Sequence, residues 1–186
     1  MTALKRPWPT CISAALLLLL LAGAAAAGDL PQEGDRFPAL EFPAPADARA
    51  ATVLGVPPGK PFAVQDVRAE LVLVEVIGVY CAFCVEQLPS FNRLHARLVK
   101  AGLSGRIKML ALAAGGTPQE TQLLGKEYAY PVLPDESYAL HRVLGEPKTP
   151  FTLLVDRQGV IRFVHLGVLR DLDGLYALMK QLAGSP

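Results

Sequence analysis

Cysteine and histidine are sparse in this chain, and no internal repeat is visible along it. The 186 residues include three cysteines and three histidines, and the histidines stand singly as His95, His141 and His165. A zinc site needs about four ligands, so these residues predict no metal centre. No cluster of lysine or arginine occurs, which argues against a nucleic-acid partner. The length suits one domain with a sizeable core.

Residues 1–27 have the pattern of a secretory signal peptide. Lys5 and Arg6 precede an apolar stretch with six consecutive leucines at positions 16–21, and an alanine-rich segment follows up to Ala27. Cleavage there would send the mature chain to the periplasm or another extracytoplasmic compartment. The alternative is an uncleaved membrane anchor, although the apolar stretch is shorter than the roughly 20 residues that span a bilayer. Cleavage also removes two basic side chains and no acidic one, so the formal charge changes from +1 to −1.

The segment that follows, residues 28–60, is rich in proline, glycine and alanine. This composition predicts an extended N-terminal arm with one hairpin, laid over a domain that spans residues 61–186. A flexible linker is the alternative, but the arm carries too much apolar surface for that. Its apolar residues are Phe37, Leu40, Phe42, Val53, Leu54 and Val56.

From residue 61 onward the predicted strands and helices alternate. Apolar runs predict strands, and helical periodicity with capping signals predicts helices. The strands are expected at 71–77, 107–113, 132–133, 151–155 and 160–166, with a turn at 156–159, and the helices at 82–100, 117–128, 137–144 and from Asp171 or Asp173 to 182. This order predicts an α/β domain with a mixed central β-sheet flanked by helices.

Cys81 and Cys84 stand where the first predicted strand meets the first long helix. The free N–H groups and positive dipole end of a helix N-terminus stabilise a thiolate, so its pKa falls. A bridge between residues so close in sequence restricts the unfolded chain little, which makes a purely structural disulfide the weaker interpretation. The third cysteine, Cys11, would leave with the signal peptide. Redox chemistry in an oxidising compartment is therefore favoured, and metal binding by the pair is the alternative.

Glu75 is the one polar residue in the first predicted strand, 71–77. Its neighbours leave the strand no polar face, so the carboxyl group is predicted to be buried. Burial without a cation raises the pKa of a carboxyl group, and such a group could take the proton of Cys84. A glutamate at the edge of the sheet, or one paired with a lysine or arginine, is the alternative.

Four features in the same order resemble the thioredoxin-fold thiol–disulfide oxidoreductases, nearest to their exported TlpA/ResA-like branch. They are the strand–cysteine junction 73–84, Pro89 five residues after Cys84, the Thr149-Pro150 step, and the late hairpin 155–161. The resemblance covers roughly residues 61–183 and implies a thioredoxin-like fold without a cofactor. It makes Cys81 the attacking thiolate and Cys84, one helical turn later on the same face, the resolving thiol.

The resemblance implies further site residues. A cis Pro150 beside the cysteines would leave the Thr149 backbone free to pair with an extended substrate chain, and an ordinary trans proline is the alternative. Tyr80, where the family usually has tryptophan, and Phe83 could form an apolar collar around the disulfide, although Tyr80 could equally be core packing. The position of Glu75 matches the buried acidic residue of thioredoxins.

Gln87 departs from the branch, which often carries a buried glutamate there. Glutamine cannot exchange protons, so Glu75 would have to act alone, and the adjacent Glu86 is expected to face another side of the helix. The three histidines are interpreted as solvated or hydrogen-bonded residues without a catalytic role.

The predicted activity is reduction of protein disulfides by dithiol–disulfide exchange. Its substrates would be protein or peptide thiols and disulfides, and its electrons would come from a membrane-embedded donor. The two residues between the cysteines, Ala82 and Phe83, include neither the histidine of the strongest oxidants nor the proline common in reductases. The prediction of reduction, as opposed to oxidation, therefore rests on the resemblance. One alternative is a peroxiredoxin-like peroxidase, disfavoured by Gly78 where threonine is expected. Others are a copper-binding metallochaperone, disfavoured by the two-residue gap, and a redox-inactive interaction domain.

Overall fold

The computed structural model describes residues 29–184. The predicted signal peptide at 1–27, with Cys11, lies outside these residues. Within the described part of the chain, no helix is long and apolar enough to cross a membrane.

Strands and helices alternate after the N-terminal arm, as predicted. The strands are β1 (Leu71–Gly78), β2 (Ile107–Ala114), β3 (Val132–Asp135), β4 (Phe151–Asp156) and β5 (Ile161–Leu166). The α-helices are α1 (Ala48–Leu54), α2 (Ala82–Lys100), α3 (Pro118–Leu124), α4 (Ala139–Val143) and α5 (Leu172–Gly184), and a short 3-10 helix spans Val64–Asp66.

The five strands form one mixed sheet with β1 at its centre, in the order β3-β2-β1-β4-β5. The pairs β1–β2 and β2–β3 are parallel, whereas β1–β4 and β4–β5 are antiparallel. A central strand covered on both faces has to be apolar along its length, which explains the dense apolar run of β1. The predicted α/β architecture with a mixed central sheet is confirmed.

Side chains of β1 point alternately to two layers of the core. Val74 and Val76 belong to the layer that includes the N-terminal arm. Leu73 and Ile77 belong to the layer that includes α2 and α5. Glu75 alternates with Leu73 and Ile77, so its carboxyl group points to the side of α2 and α5. The central strand therefore places one acidic group under the helix that begins with both cysteines.

The N-terminal arm contains a helix that the sequence analysis did not predict. An extended segment with one hairpin was expected over residues 28–60, whereas α1 occupies part of it. Asp47 Oδ1 accepts a hydrogen bond from the backbone N–H of Ala50 at 2.7 Å, and Gly55 ends the helix with a φ of +70°. An N-cap aspartate and a left-handed glycine are helix signals, but the surrounding prolines obscured them.

The arm packs against the domain. Phe42 is fully buried, and its ring centroid lies 6.3 Å from that of Phe37 and 5.4 Å from that of Phe62. Backbone hydrogen bonds also join residues 34–35 to Ile161 at the start of β5. Of the six apolar side chains that argued against a flexible linker, all but Val53 are thus part of the core.

Two helices are shorter than predicted. The helix expected over 117–128 ends at Leu124, because Gly125 follows and lowers the helix propensity there. The capping box predicted at its start is present. The helix expected over 137–144 is limited to α4.

Candidate active site

The two cysteines lie at the start of α2, which follows β1 after a short turn. Cys81 is the N-cap residue in an extended backbone conformation, and the backbone N–H of Cys84 donates a hydrogen bond to its Sγ atom at 3.1 Å. The two residues form a disulfide with their Cα atoms 5.2 Å apart. After reduction, the same N–H and the helix dipole would favour a thiolate at Cys81 Sγ.

The two sulfur atoms differ in accessibility. Cys81 is half-buried, whereas Cys84 is only 3% exposed and lies in the core layer that includes Ile77. A bulky disulfide-containing partner can therefore approach Cys81 but not Cys84. This difference fits the attacking and resolving roles expected from the sequence.

The loop before β4 brings Thr149 and Pro150 next to the cysteines. The carbonyl oxygen of Thr149 lies 3.5 Å from Cys81 Sγ, and the Thr149–Pro150 peptide bond is cis. Gly78 favours this approach, because a Cβ atom there would make tight contacts, 3.2 Å from Thr149 Oγ1 and 3.3 Å from the Cβ of Cys81. A glycine at the end of β1 thus allows the two segments to meet closely.

Tyr80 and Phe83 stand out into solvent beside the disulfide. Their exposed fractions are 92% and 63%, so Tyr80 is neither part of the core nor packed over the sulfur atoms. Its hydroxyl donates a hydrogen bond to Glu120 Oε1 at 2.8 Å, which connects the cysteine loop to the first turn of α3. This arrangement differs from the apolar collar considered from the sequence, because Tyr80 finds its partner on another helix.

Glu75 is buried in the centre of the sheet, with 1% of its surface exposed. Gln87 donates a hydrogen bond from Nε2 to Glu75 Oε1 at 2.8 Å, and the hydroxyl of Tyr130 donates one to Oε2 at 2.6 Å. Burial raises the pKa of the Glu75 carboxyl group, and the bonds from Tyr130 and Gln87 partly oppose that rise. Glu75 lies on the central strand of the sheet and pairs with no lysine or arginine among residues 29–184, so neither alternative for Glu75 fits the described part of the chain.

Gln87 connects Glu75 to the helix that carries the cysteines. It lies three residues after Cys84, on the same face of α2, and it is buried. Its Oε1 atom accepts a hydrogen bond from the backbone N–H of Leu169 at 2.8 Å. The expectation that Glu75 exchanges protons alone stays a prediction, and the structure adds a direct contact between the two side chains.

The remaining polar residues considered from the sequence lie apart from the disulfide. Glu86 faces outward, as expected, and pairs with Arg170 at 2.6 Å. Ring nitrogens of His141 and His165 lie near backbone carbonyl oxygens, at 2.9 Å and 3.3 Å. The ring of His95 packs beside a tyrosine. Across residues 29–184, no three side chains of His, Cys, Asp or Glu come together as a metal site would require.

Two polar residues of this site were not predicted from the sequence. Tyr130 precedes β3, and Thr152 lies on β4 directly opposite Glu75. The Thr152 hydroxyl is buried without a hydrogen-bond partner among the described residues. The one available signal was that a buried tyrosine needs a hydrogen-bond partner for its hydroxyl. Nothing in the sequence connects Tyr130 with a glutamate that lies 55 residues earlier.

No family model matches this chain, and no curated protein matches it in sequence. Solved structures do match. A protein described as the thiol:disulfide interchange protein DsbE, from Chlorobium tepidum, superposes with a TM-score of 0.63 at 19% identity, over 84% of this chain and 100% of its own.

Two further solved structures are also similar. A secreted disulfide oxidoreductase of Mycobacterium tuberculosis matches with a TM-score of 0.55 at 14% identity, over 78% of this chain and 96% of its own. The thioredoxin domain of a thiol-disulfide oxidoreductase from Bacteroides vulgatus matches with a TM-score of 0.58 at 16% identity, over 82% of this chain and 99% of its own. At such identities the likeness shows the fold, and this chain therefore has a thioredoxin-like fold.

Proposed function

We propose that this protein is an exported thiol–disulfide oxidoreductase that reduces protein disulfides by dithiol–disulfide exchange. The observation that carries the proposal is the half-buried Cys81 at a helix N-cap, with the buried Cys84 one turn later. Proteins with the same fold are named as disulfide oxidoreductases. The exchange needs only the two sulfur atoms, so it requires no cofactor.

The first step begins from the dithiol form. The Cys81 thiolate attacks one sulfur of a client disulfide, and the S–S bond of the client breaks. The second client sulfur leaves as a thiolate, and a mixed disulfide joins Cys81 to the client. The N–H of Cys84, which points at Cys81 Sγ, stabilises the attacking thiolate and thereby raises its fraction near neutral pH.

The second step releases the client. Cys84 gives its proton to the Glu75 carboxylate, and its sulfur attacks Cys81 Sγ. The mixed disulfide breaks, the remaining client sulfur leaves as a thiolate, and the Cys81–Cys84 disulfide forms, so two electrons have passed to the client. Glu75 suits the role of proton acceptor, because it is buried on the same side of the sheet as Cys84 and its pKa is raised.

Four further residues would bind the client chain. Pro150 has no N–H, and the Thr149 backbone lies against Cys81 Sγ, so an extended peptide could pair with the Thr149 backbone as an added strand. Tyr80 and Phe83, next to the cysteines in sequence, offer exposed aromatic surface. Exposed aromatic side chains bind apolar segments with little loss of conformational freedom.

Each cycle ends with the Cys81–Cys84 disulfide, so repeated reduction needs an electron donor. We assign this role to a membrane-embedded donor, in line with the resemblance to the TlpA/ResA-like branch. Export through the signal peptide at 1–27 would place the protein beside such a donor in the periplasm or another extracytoplasmic compartment. The secreted relative from Mycobacterium tuberculosis agrees with this location.

Turnover of insulin disulfides by the mature chain tests the proposal. We expect the wild type to catalyse reduction by dithiothreitol, Cys81→Ser to be inactive, and Cys84→Ser to accumulate a mixed disulfide that a non-reducing gel reveals. A wild type no faster than dithiothreitol alone would sink the proposal. Consumption of peroxide would instead indicate a peroxidase, and stoichiometric copper binding without turnover would indicate a metallochaperone.

A further inference from the structure

The carboxyl group of Glu75 is held by donors from two distant parts of the chain. Gln87 on α2 donates to one oxygen, and Tyr130 before β3 donates to the other. We propose that Tyr130 and Gln87 are positioning residues, which hold the Glu75 carboxylate under the cysteine helix in the form that can accept a proton from Cys84. The inference rests on the proposed role of Glu75 in disulfide exchange.

A third contact fixes the orientation of the Gln87 amide. Its Oε1 atom accepts the backbone N–H of Leu169 at 2.8 Å. A backbone N–H can only donate, so the amide oxygen must face Leu169 and the NH₂ group must face Glu75. Glutamine at this position is therefore always a donor to the carboxyl group, whereas a glutamate would present a second acceptor.

The two donors counteract the effect of burial on Glu75. Burial is the largest influence and raises the pKa of the carboxyl group, while the hydrogen bonds from Tyr130 and Gln87 lower it. A carboxyl group that stayed protonated could not take a proton from Cys84. The donors thus keep the ionised form accessible in a site without water-exposed surface.

Neutral groups surround Glu75, and no cation compensates its charge within the described part of the chain. The buried ionisable side chains on this side of β1 are Tyr128, Tyr130 and Cys84; Cys81 and Tyr176 pack against them partly buried, and His95 lies beside the ring of Tyr130. β4 contributes Thr152, and α5 contributes Leu175 and Met179. The two hydrogen-bond donors, Tyr130 and Gln87, are therefore the groups that stabilise the negative charge of Glu75.

An NMR titration of the Glu75 side-chain carboxyl carbon in the oxidised protein tests Tyr130 directly, because neither cysteine titrates there. Tyr130→Phe removes the donor and keeps the ring. Tyr128→Phe is the matched control, since its ring meets that of Tyr130 edge-on at 5.4 Å. We expect Tyr130→Phe to lower the ionised fraction of Glu75 about tenfold at a pH below its midpoint, an upward shift of about one pH unit. Identical titrations of wild type and Tyr130→Phe overturn the proposal.

Gln87→Glu tests the second donor without disturbing Leu169. The new side chain keeps an oxygen for the Leu169 N–H, but it replaces the donor that faces Glu75. Two carboxyl groups then share one buried site, and one of them has to hold a proton. We expect the second titration midpoint of the pair to lie above the wild-type midpoint of Glu75. A second midpoint no higher than the wild-type midpoint of Glu75 would overturn the role of Gln87.

Exchange kinetics separate this inference from the proposed function. If Glu75 accepts the Cys84 proton, the pH profile for resolution of the mixed disulfide shifts upward in Tyr130→Phe together with the NMR midpoint, and Tyr128→Phe matches the wild type. A midpoint that moves while the kinetic profile stays fixed supports positioning by Tyr130 and contradicts the role of Glu75 in exchange. An unmoved midpoint contradicts the positioning itself.

Discussion

Glu75 imposes a cost on folding that depends on pH. Burial raises its pKa in the folded chain, so the folded state binds the proton more tightly than the unfolded state. Below the unfolded pKa both states are protonated and the cost is absent. As the pH rises toward the folded pKa, the unfolded state ionises first and stability is lost.

Glu75→Gln is therefore expected to raise the free energy of unfolding at about pH 8 and to change it little at about pH 4. The gain corresponds to about 1.4 kcal/mol for each pH unit by which burial raises the pKa. Denaturant unfolding at both pH values measures it. Glu86→Gln, in the exposed pair with Arg170, is the control and should change stability by less than about 1 kcal/mol. A Glu75→Gln protein less stable than wild type at pH 8 would show that the charge costs nothing.

Thr152 is a second residue whose surroundings do not suit its side chain. Its hydroxyl is buried without a partner among residues 29–184. Thr152→Val keeps the shape and removes the hydroxyl, so we expect the free energy of unfolding to rise by about 1 kcal/mol. Thr121→Val is the matched control, because the Thr121 hydroxyl donates a bond to the Thr117 carbonyl at 2.7 Å, and this change should destabilise. Equal effects of the two substitutions in thermal unfolding would contradict the prediction.

The sequence makes some residues of the site predictable and hides others. The cysteines and Glu75 belong to one continuous stretch, where an apolar strand and the start of a helix determine their environment. Tyr130 reaches Glu75 only through the placement of β3 in the sheet, and Gln87 is oriented by Leu169, which lies 82 residues away. Such contacts depend on strand order and register, which periodicity does not encode.

Secondary-structure elements form where local signals agree with tertiary burial. The strands were predictable because β1, β2 and β4 are covered on both faces and need continuous apolar runs. Helix α1 was missed because the prolines and glycines around it suggested extended chain, although Asp47 and Gly55 cap it. Its buried Leu54 shows that packing against the core, more than propensity, stabilises so short a helix.

The N-cap of α1 gives a test at this scale. Asp47→Ala removes the acceptor for the Ala50 N–H, and we expect a loss of about 1 kcal/mol in the free energy of unfolding. Asp47→Asn retains an oxygen at the cap and should remain within about 0.5 kcal/mol of wild type. Urea denaturation of both variants decides the question, and an Asp47→Ala protein as stable as Asp47→Asn would refute the role of the cap.

For the molecule as a whole, the N-terminal arm and the sheet share one core. Phe42 lies at their junction and is completely buried. Phe42→Ala should lower the free energy of unfolding by about 3–5 kcal/mol. Phe83→Ala, at an exposed phenylalanine, should stay within about 0.5 kcal/mol. If the arm only rested on the surface, the two substitutions would instead change the free energy of unfolding by small and similar amounts, as measured by equilibrium unfolding.

Both edge strands of the sheet have features that limit their pairing with other chains. β3 is short and contains Pro134, which cannot donate to an incoming strand. On the opposite border, Gly34 and Asp35 occupy both backbone hydrogen-bonding groups of Ile161 at 2.8–2.9 Å. Unpaired strand borders are templates for aggregation. By pairing with the start of β5, the proline-rich N-terminal arm leaves fewer free backbone groups there for edge-to-edge association of two sheets.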